Sequence, residues 1–198
     1  MDPRTNWPAY FEAARDFDVR PTTRFALDKL SAKNKTNLAI DLGCGNGTDT
    51  LAILEAGFRV LAIDASSEAL TELKDKCPPR LSAHLTLEQQ TLEAINLPPC
   101  IFLNASFVLP FCALEAFPAL WAAIVEALQS GGHFAGQFFG PTDSWGPLGY
   151  ALTHTKEEVE ALLTPFDIEL LREDIRNGTD AVGTPKHWHV WHVVACKK

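Results

Sequence analysis

Apolar and polar positions along the chain fall into two interleaved patterns. Short apolar runs, Leu38-Ala39-Ile40, Val60-Leu61-Ala62-Ile63 and Ile101-Phe102-Leu103, have the length of strands buried on both faces. Longer stretches with helical spacing lie between them. They predict helices from about Pro21 to Leu30, from about Asn46 to Ala56, from Ser66 to Lys76 and from Phe117 to Gln129. Pro21 and Pro118 fit first-turn positions, and Gly57 fits the residue past a helix end. The Pro78-Pro79 pair stops the third helix, and Leu81 to Leu87 alternates as a strand should. Further strands are predicted at Cys100–Asn104, His133–Phe139, Phe166–Glu173 and Lys186–Cys196. A capping box at Thr155-Lys156-Glu157-Glu158 opens a helix to about Leu163. Asn34-Lys35 and Asn177-Gly178 read as turns, and Gly140 to Tyr150 as a long irregular loop. Strands alternating with helices imply an α/β domain with a mostly parallel sheet.

Composition narrows the class of partner. The chain has 198 residues, 46% of them hydrophobic and 21% charged, which suits one soluble domain with a sizeable core. Net charge is −8, so nucleic acid, whose phosphates demand a basic surface, is not an expected partner. Five scattered cysteines form no C-x-x-C pair and no disulfide framework, so reduced thiols in a cytoplasmic protein are expected. Met1-Asp2-Pro3-Arg4 does not open a signal peptide, and no apolar run reaches membrane-spanning length.

The chemistry concentrates in Leu38 to Thr50. A buried strand ends in Asp41, and glycines follow at Gly43, Gly45 and Gly47 before a helix begins. Glycines sit where the backbone needs positive φ or where a ligand comes close. The helix N-terminus behind them offers free N–H groups. Thr48 stands where a dinucleotide fingerprint has its third glycine. The next strand ends at Asp64, whose carboxylate can accept from two hydroxyls, while Ser66 or Ser67 is free to cap the following helix.

The order Asp41-x-Gly43-x-Gly45-x-Gly47, with an acid at Asp64, resembles the first two motifs of class I S-adenosylmethionine-dependent methyltransferases. In size and layout the chain is similar to tellurite-resistance methyltransferases. The resemblance implies a single-domain Rossmann-like fold over residues 38–198, with helices on both faces of a seven-stranded sheet. Its strand order would be 3-2-1-4-5-7-6 with strand seven antiparallel, completed by the hairpin of the last two strands. Residues 1–37 would form an N-terminal segment that covers the cofactor, with Trp7, Tyr10 and Phe11 reaching substrate, or would simply pack on the domain's edge.

The resemblance also distributes roles. Asp41, Gly43, Cys44, Gly45, Asn46 and Gly47 would line the cofactor's amino-acid part, and Asp64 with Ala65 its ribose. Gln90, flanked by Thr91 and Leu92, would meet the adenine where aspartate is usual, with Gln89 and Glu93 as alternatives. Asn104, Ala105 and Ser106 would stand beside the sulfonium. Among candidates for the acceptor side are Asp143, Trp145, Lys186, His187 and Trp188, with Asp143 or His187 as general base for a hydroxyl or amine. His189 reads as structural. His187, His189 and His192 cannot converge on a metal, because period-two geometry puts His192 on the opposite face. The function implied is methyl transfer from S-adenosylmethionine to a small molecule by a monomer or homodimer. A silent cofactor-binding protein and a nicotinamide-dependent oxidoreductase are the alternatives.

Overall fold

The computed structural model describes residues 9, 12, 13, 17–30 and 37–198. Trp7, Tyr10, Phe11 and the Asn34-Lys35 turn lie outside the described residues. The elements run α1 (Pro21–Lys29), β1 (Leu38–Leu42), α2 (Thr48–Glu55), β2 (Arg59–Asp64), α3 (Ser67–Lys76), α4 (Pro79–Ser82) and β3 (Leu85–Gln89). They continue with β4 (Cys100–Ala105), α5 (Phe117–Ala127), β5 (Leu128–Phe139), α6 (Lys156–Leu162), β6 (Phe166–Thr179) and β7 (Pro185–Lys197). The sheet order is β3-β2-β1-β4-β5-β7-β6, as the resemblance implied. β1 through β5 pair in parallel, and β7 runs antiparallel to both β5 and β6.

Strand alternation sorts the core into two layers. Ile40, Leu42, Leu61, Ile63 and Leu103 face one side, against Phe117, Leu120, Trp121 and Ile124 of α5 and Val159 of α6. Ala39, Val60, Ala62 and Phe102 face the other, against Ala26 of α1, Ile53 and Leu54 of α2 and Leu70 and Leu73 of α3. Helices therefore cover both faces, and the polar ends of β1, β2 and β4 meet at one edge, where open α/β sheets bind ligands.

Several boundaries moved for local reasons. α2 opens at Thr48, because Gly47 has φ 85 and cannot lie inside a right-handed helix. Pro79 does not merely stop α3. It sits in the first turn of the short α4, which postpones β3 to Leu85. β5 begins at Leu128, with its register against β4 shifting between Cys100 and Phe102. Asn177-Gly178 is not the turn. Both residues lie within β6, opposite His187 and Lys186, and the chain reverses at Asp180–Gly183. There the Asp180 carboxylate accepts from the N–H groups of Val182 at 3.1 Å and Thr184 at 2.8 Å, and Gly183 has φ 87.

The capping box forms as expected. Thr155 Oγ1 accepts from the Glu158 N–H at 3.2 Å, and the Thr155 N–H donates to Glu158 Oε2 at 2.7 Å. Thr155→Ala should cost about 1 kcal/mol, read as a lower urea midpoint. An unchanged midpoint would show that the box carries no stability.

Candidate functional site

At the carboxyl ends of β1, β2 and β4 lies a cavity of about 840 Å³, joined near the glycine loop to a small polar recess of about 70 Å³. The loop's glycines are sterically required. A Cβ on Gly43, which has φ 68, would stand 2.3 Å from Val108 Cγ2, and one on Gly47 would stand 2.2 Å from Leu73 Cδ1. Gly45, at φ 51, donates its N–H to Asp64 Oδ2 at 2.9 Å. Asp64 Oδ1 accepts from the Ser66 N–H at 2.9 Å. Helix α3 is capped instead by Ser66, whose Oγ accepts from the Ala69 N–H. Asp64 thus faces the cavity with both oxygens anchored and lone pairs to spare, a placement suited to a vicinal diol. Burial raises its carboxyl above the ordinary range.

The recess is lined by Asp41, Cys44, Asn46 and Asp49 from the loop side and by Phe17 and Arg20 from the N-terminal side. Asp41 accepts from the Thr50 hydroxyl and from Asn104 Nδ2, the latter at 2.8 Å. Burial, with the nearby Asp49 carboxylate, pushes the Asp41 carboxyl up to about 7. Asp49 accepts the Arg20 N–H at 2.9 Å and Asn104 Nδ2 at 3.3 Å. Two carboxylates so close, with hydrogen bonds but, among the described residues, no cationic side chain on either, make a site for an ammonium group. The Arg20 guanidinium stacks on Phe107 and Phe17, at 4.9 and 5.2 Å, with no carboxylate partner among the described residues. Burial and the neighbouring acids hold the Cys44 thiol well above its usual range, so it is inert.

Other expected residues divide cleanly. Ala65, Gln90, Thr91, Leu92, Ser106, Trp145 and Trp188 line the main cavity. Gln90 Oε1 already accepts the Asn96 N–H at 3.1 Å, and its Nε2 donates to Glu88. Gln89 Nε2 is turned to the Ala65 carbonyl at 3.0 Å. Asn104 and Ala105 are fully buried beneath the loop. Asn104 does not stand open beside a sulfonium; its amide ties Asp41 and Asp49 to β4, and its Oδ1 accepts from Thr23 and Ser106.

Two expected bases are corrected. Asp143 is wholly buried and accepts the Lys186 ammonium, the Trp145 N–H at 3.0 Å and the His189 N–H at 3.2 Å. It is the counter-ion of Lys186 and does not open to the cavity. His187 falls on the other face of β7 from Trp188, and its Nδ1 pairs with Asn177 Oδ1 at 2.7 Å. Lys186 also stands behind the wall, its ammonium 3.8 Å from the Trp145 ring centroid and 4.4 Å from that of Trp188. His189 is structural, held between Thr142 Oγ1 at 2.8 Å and Glu173 Oε1 at 3.0 Å. Among the described residues, no group of three His, Cys, Asp or Glu side chains is placed to hold a metal ion, and no helix is long and apolar enough to cross a membrane.

Sequence reasoning missed Arg20, Asp49, Phe107, Phe111, Phe139 and Arg176. Phe107 carries the one signal visible in the backbone, a φ of 55 that a bulky residue rarely adopts, held by its N–H on Gln137 Oε1 at 2.9 Å.

The sheet order and the glycine loop tied to Asp64 agree with the fold that the resemblance implied. Residues 39–132 match the family described as a methyltransferase domain. The chain is similar to TehB from Haemophilus influenzae, at 18% identity and a TM-score of 0.76, covering 91% of this chain and 63% of that one. It also resembles magnesium protoporphyrin IX methyltransferase from Synechocystis, solved with bound S-adenosylhomocysteine, at 17% identity and a TM-score of 0.71, covering 98% and 95%. At these identities the likeness is one of fold. A cypemycin N-terminal methyltransferase from Streptomyces is 51% identical over 37 residues, 19% of this chain and 15% of that protein. The chain thus spans 63% of the TehB length, and the shared stretch is a small part of the cypemycin enzyme.

Proposed function

We propose that this protein transfers a methyl group from S-adenosylmethionine to a small-molecule nucleophile. The observation that carries the reading is Asp64, fixed by the Gly45 and Ser66 N–H groups at the end of β2 and facing a cavity of about 840 Å³. Asp64 takes the ribose hydroxyls, Ile63, Ala65 and Leu92 enclose the adenine, and Gln90 borders its edge. Asp41 and Asp49 take the ammonium, and among the described residues Arg20 is the cation in reach for the carboxylate. The cofactor supplies a sulfonium methyl that an electron-rich atom takes by in-line displacement, leaving S-adenosylhomocysteine. The protein's part is positioning, which can supply about 7–11 kcal/mol of a barrier. Ser106, just after β4, lines both the recess and the main cavity and marks their junction, where the acceptor would meet the methyl.

Phe17 and Arg20 line both spaces and support a covering role for the 1–37 segment. The chemistry of the recess favours this cofactor over a dinucleotide, whose phosphates two carboxylates would repel. A cytoplasmic setting fits five unpaired thiols. The test is calorimetric titration with S-adenosylmethionine, S-adenosylhomocysteine and NAD. Micromolar binding of the first two alone supports the proposal, and binding of NAD alone overturns it.

The raised carboxyl of Asp41 gives a pH prediction. An ammonium ligand needs Asp41 ionised, and Asp41 is protonated below about 7. Affinity for S-adenosylmethionine should therefore weaken as pH falls from 7 to 6, by up to about tenfold per unit, while the ligand's amine stays protonated throughout. Asp41→Asn should flatten that slope and weaken binding at pH 7. A steep slope that survives in the variant would place the titrating group elsewhere.

A further inference from the structure

The half of the cavity beyond Phe107 differs in kind from the cofactor half. Five rings enclose it, drawn from the turns after β4 (Phe107 and Phe111), the end of β5 (Phe139), the following loop (Trp145) and β7 (Trp188). Neighbouring centroids lie 5.7 to 6.3 Å apart, at interplanar angles of 53° to 82°. Rings so tilted present both faces and edges to a guest, which suits a flat aromatic molecule. The rings also carry cations. Lys186 Nζ stands within 5.0 Å of the centroids of Trp145, Trp188 and Phe139, and the Arg176 guanidinium lies 5.6 Å from that of Trp188.

The cations decide the sign of the guest. A ring already holding a cation has spent its negative potential and offers little to a second one, so an amine gains nothing from this box. The two acids that pair with these cations, Asp143 and Asp174, are outside the cavity lining, although Glu93 and Asp180 are on it. Asp143 holds Lys186 from a fully buried position outside the cavity lining, and Asp174 takes only Nε of Arg176, at 3.1 Å. The Arg176 Nη groups have no carboxylate partner among the described residues, and a guanidinium edge matches a carboxylate in fork geometry. Asp180 lines the hairpin side, but one of its oxygens is taken up by two main-chain N–H groups. Behind Phe107, His192 is buried with neither ring nitrogen hydrogen-bonded. Burial first, then the charge of Arg172, with Arg176 and Arg20 contributing, pushes its imidazole down to about 4, so it adds no charge of its own at neutral pH.

We infer that the methyl acceptor is a planar aromatic anion, an aromatic carboxylate or phenolate, held in the five-ring box with its charge toward Arg176. This rests on the methyl-transfer reading above and names its substrate class. A carboxylate acceptor also accounts for a chamber in which Asp143 and His187 are both unavailable as bases, since it is ionised at neutral pH and attacks without deprotonation.

The experiment uses the full chain saturated with S-adenosylhomocysteine, titrated calorimetrically with four probes: 2-naphthoate, neutral 2-naphthamide, cationic 2-naphthylmethylammonium and aliphatic cyclohexanecarboxylate. We expect 2-naphthoate to bind at least about tenfold tighter than each of the other three. Arg176→Gln, at a half-exposed side chain, should erase most of the preference over the amide while leaving S-adenosylhomocysteine affinity unchanged. Equal or better binding of the ammonium, the amide or the aliphatic acid overturns the inference, as does a preference that survives in R176Q. S-adenosylhomocysteine binding without discrimination among probes would sink the substrate class and leave methyl transfer standing. Failure to bind S-adenosylhomocysteine would sink both.

Discussion

Asp64→Ala should weaken binding of S-adenosylmethionine by at least about a hundredfold, the largest effect on the cofactor of any single change. A hydrogen bond to a charged group is worth about 1.5–3 kcal/mol, and the ribose diol would make two. Two such bonds correspond to a factor of about a hundred or more in the dissociation constant. The carboxylate has a second duty, since it ties Gly45 to β2 and orders the start of α3 through the Ser66 N–H. Asp64→Asn separates the two. It keeps an acceptor oxygen for one of these N–H groups but loses the charge, so binding should fall between wild type and the alanine variant. Calorimetry checks the affinities, and thermal melts of the free proteins check the loop. An alanine variant that binds at native affinity would reduce Asp64 to a loop tie and remove the main support for the cofactor reading.

How much of this site could be read from the sequence depended on how local its determinants are. The glycine loop was legible because its cause is local: glycines at positive φ between a buried strand and a helix dictate one geometry. The strand order followed from the same regularity, through the family resemblance. Asn177-Gly178 misled because a turn dipeptide is a local preference. The ladder with β7, pairing Gly178 with Lys186, overrode it and moved the reversal to Asp180–Gly183.

Asp143 and His187 misled for a deeper reason. Their side-chain types announce acid–base chemistry, but their partners decide whether that chemistry is available. Asp143 meets Lys186 across 43 residues of chain, and His187 meets Asn177 across the hairpin. The five-ring box is a product of topology in the same way. Phe107 from the turn after β4, Phe139 from β5 and Trp188 from β7 converge only once β7 has inserted beside β5. Asn104 shows the converse. Its position at a strand end was readable, but its work, bridging Asp41 and Asp49 under the loop, needed the paired register of β1 and β4.

Lys186→Met should destabilise the protein by about 3–5 kcal/mol, the usual result of removing one partner of a buried ion pair. The Lys186 and Asp143 side chains are 1% and 0% exposed, and burial already holds the lysine's ammonium below its ordinary pKa. Without Lys186, the Asp143 carboxylate would keep only the Trp145 and His189 N–H donors, in a site walled by aromatic rings. Three rings would also lose the cation they share. Removing the charge on the other side should repair most of this. In the double variant Asp143→Asn/Lys186→Met the amide oxygen can still accept from one main-chain N–H, and no bare charge remains. Urea unfolding of the wild type, both single variants and the double variant closes a double-mutant cycle, with an expected coupling of at least about 1.5 kcal/mol. A coupling near zero would mean that the two charges are stabilised separately, Asp143 by its main-chain donors and Lys186 by the rings alone. Strong coupling would make the pair the fixed foundation on which Trp145 and Trp188 stand, and would explain why neither charge is free to serve as an acid or base.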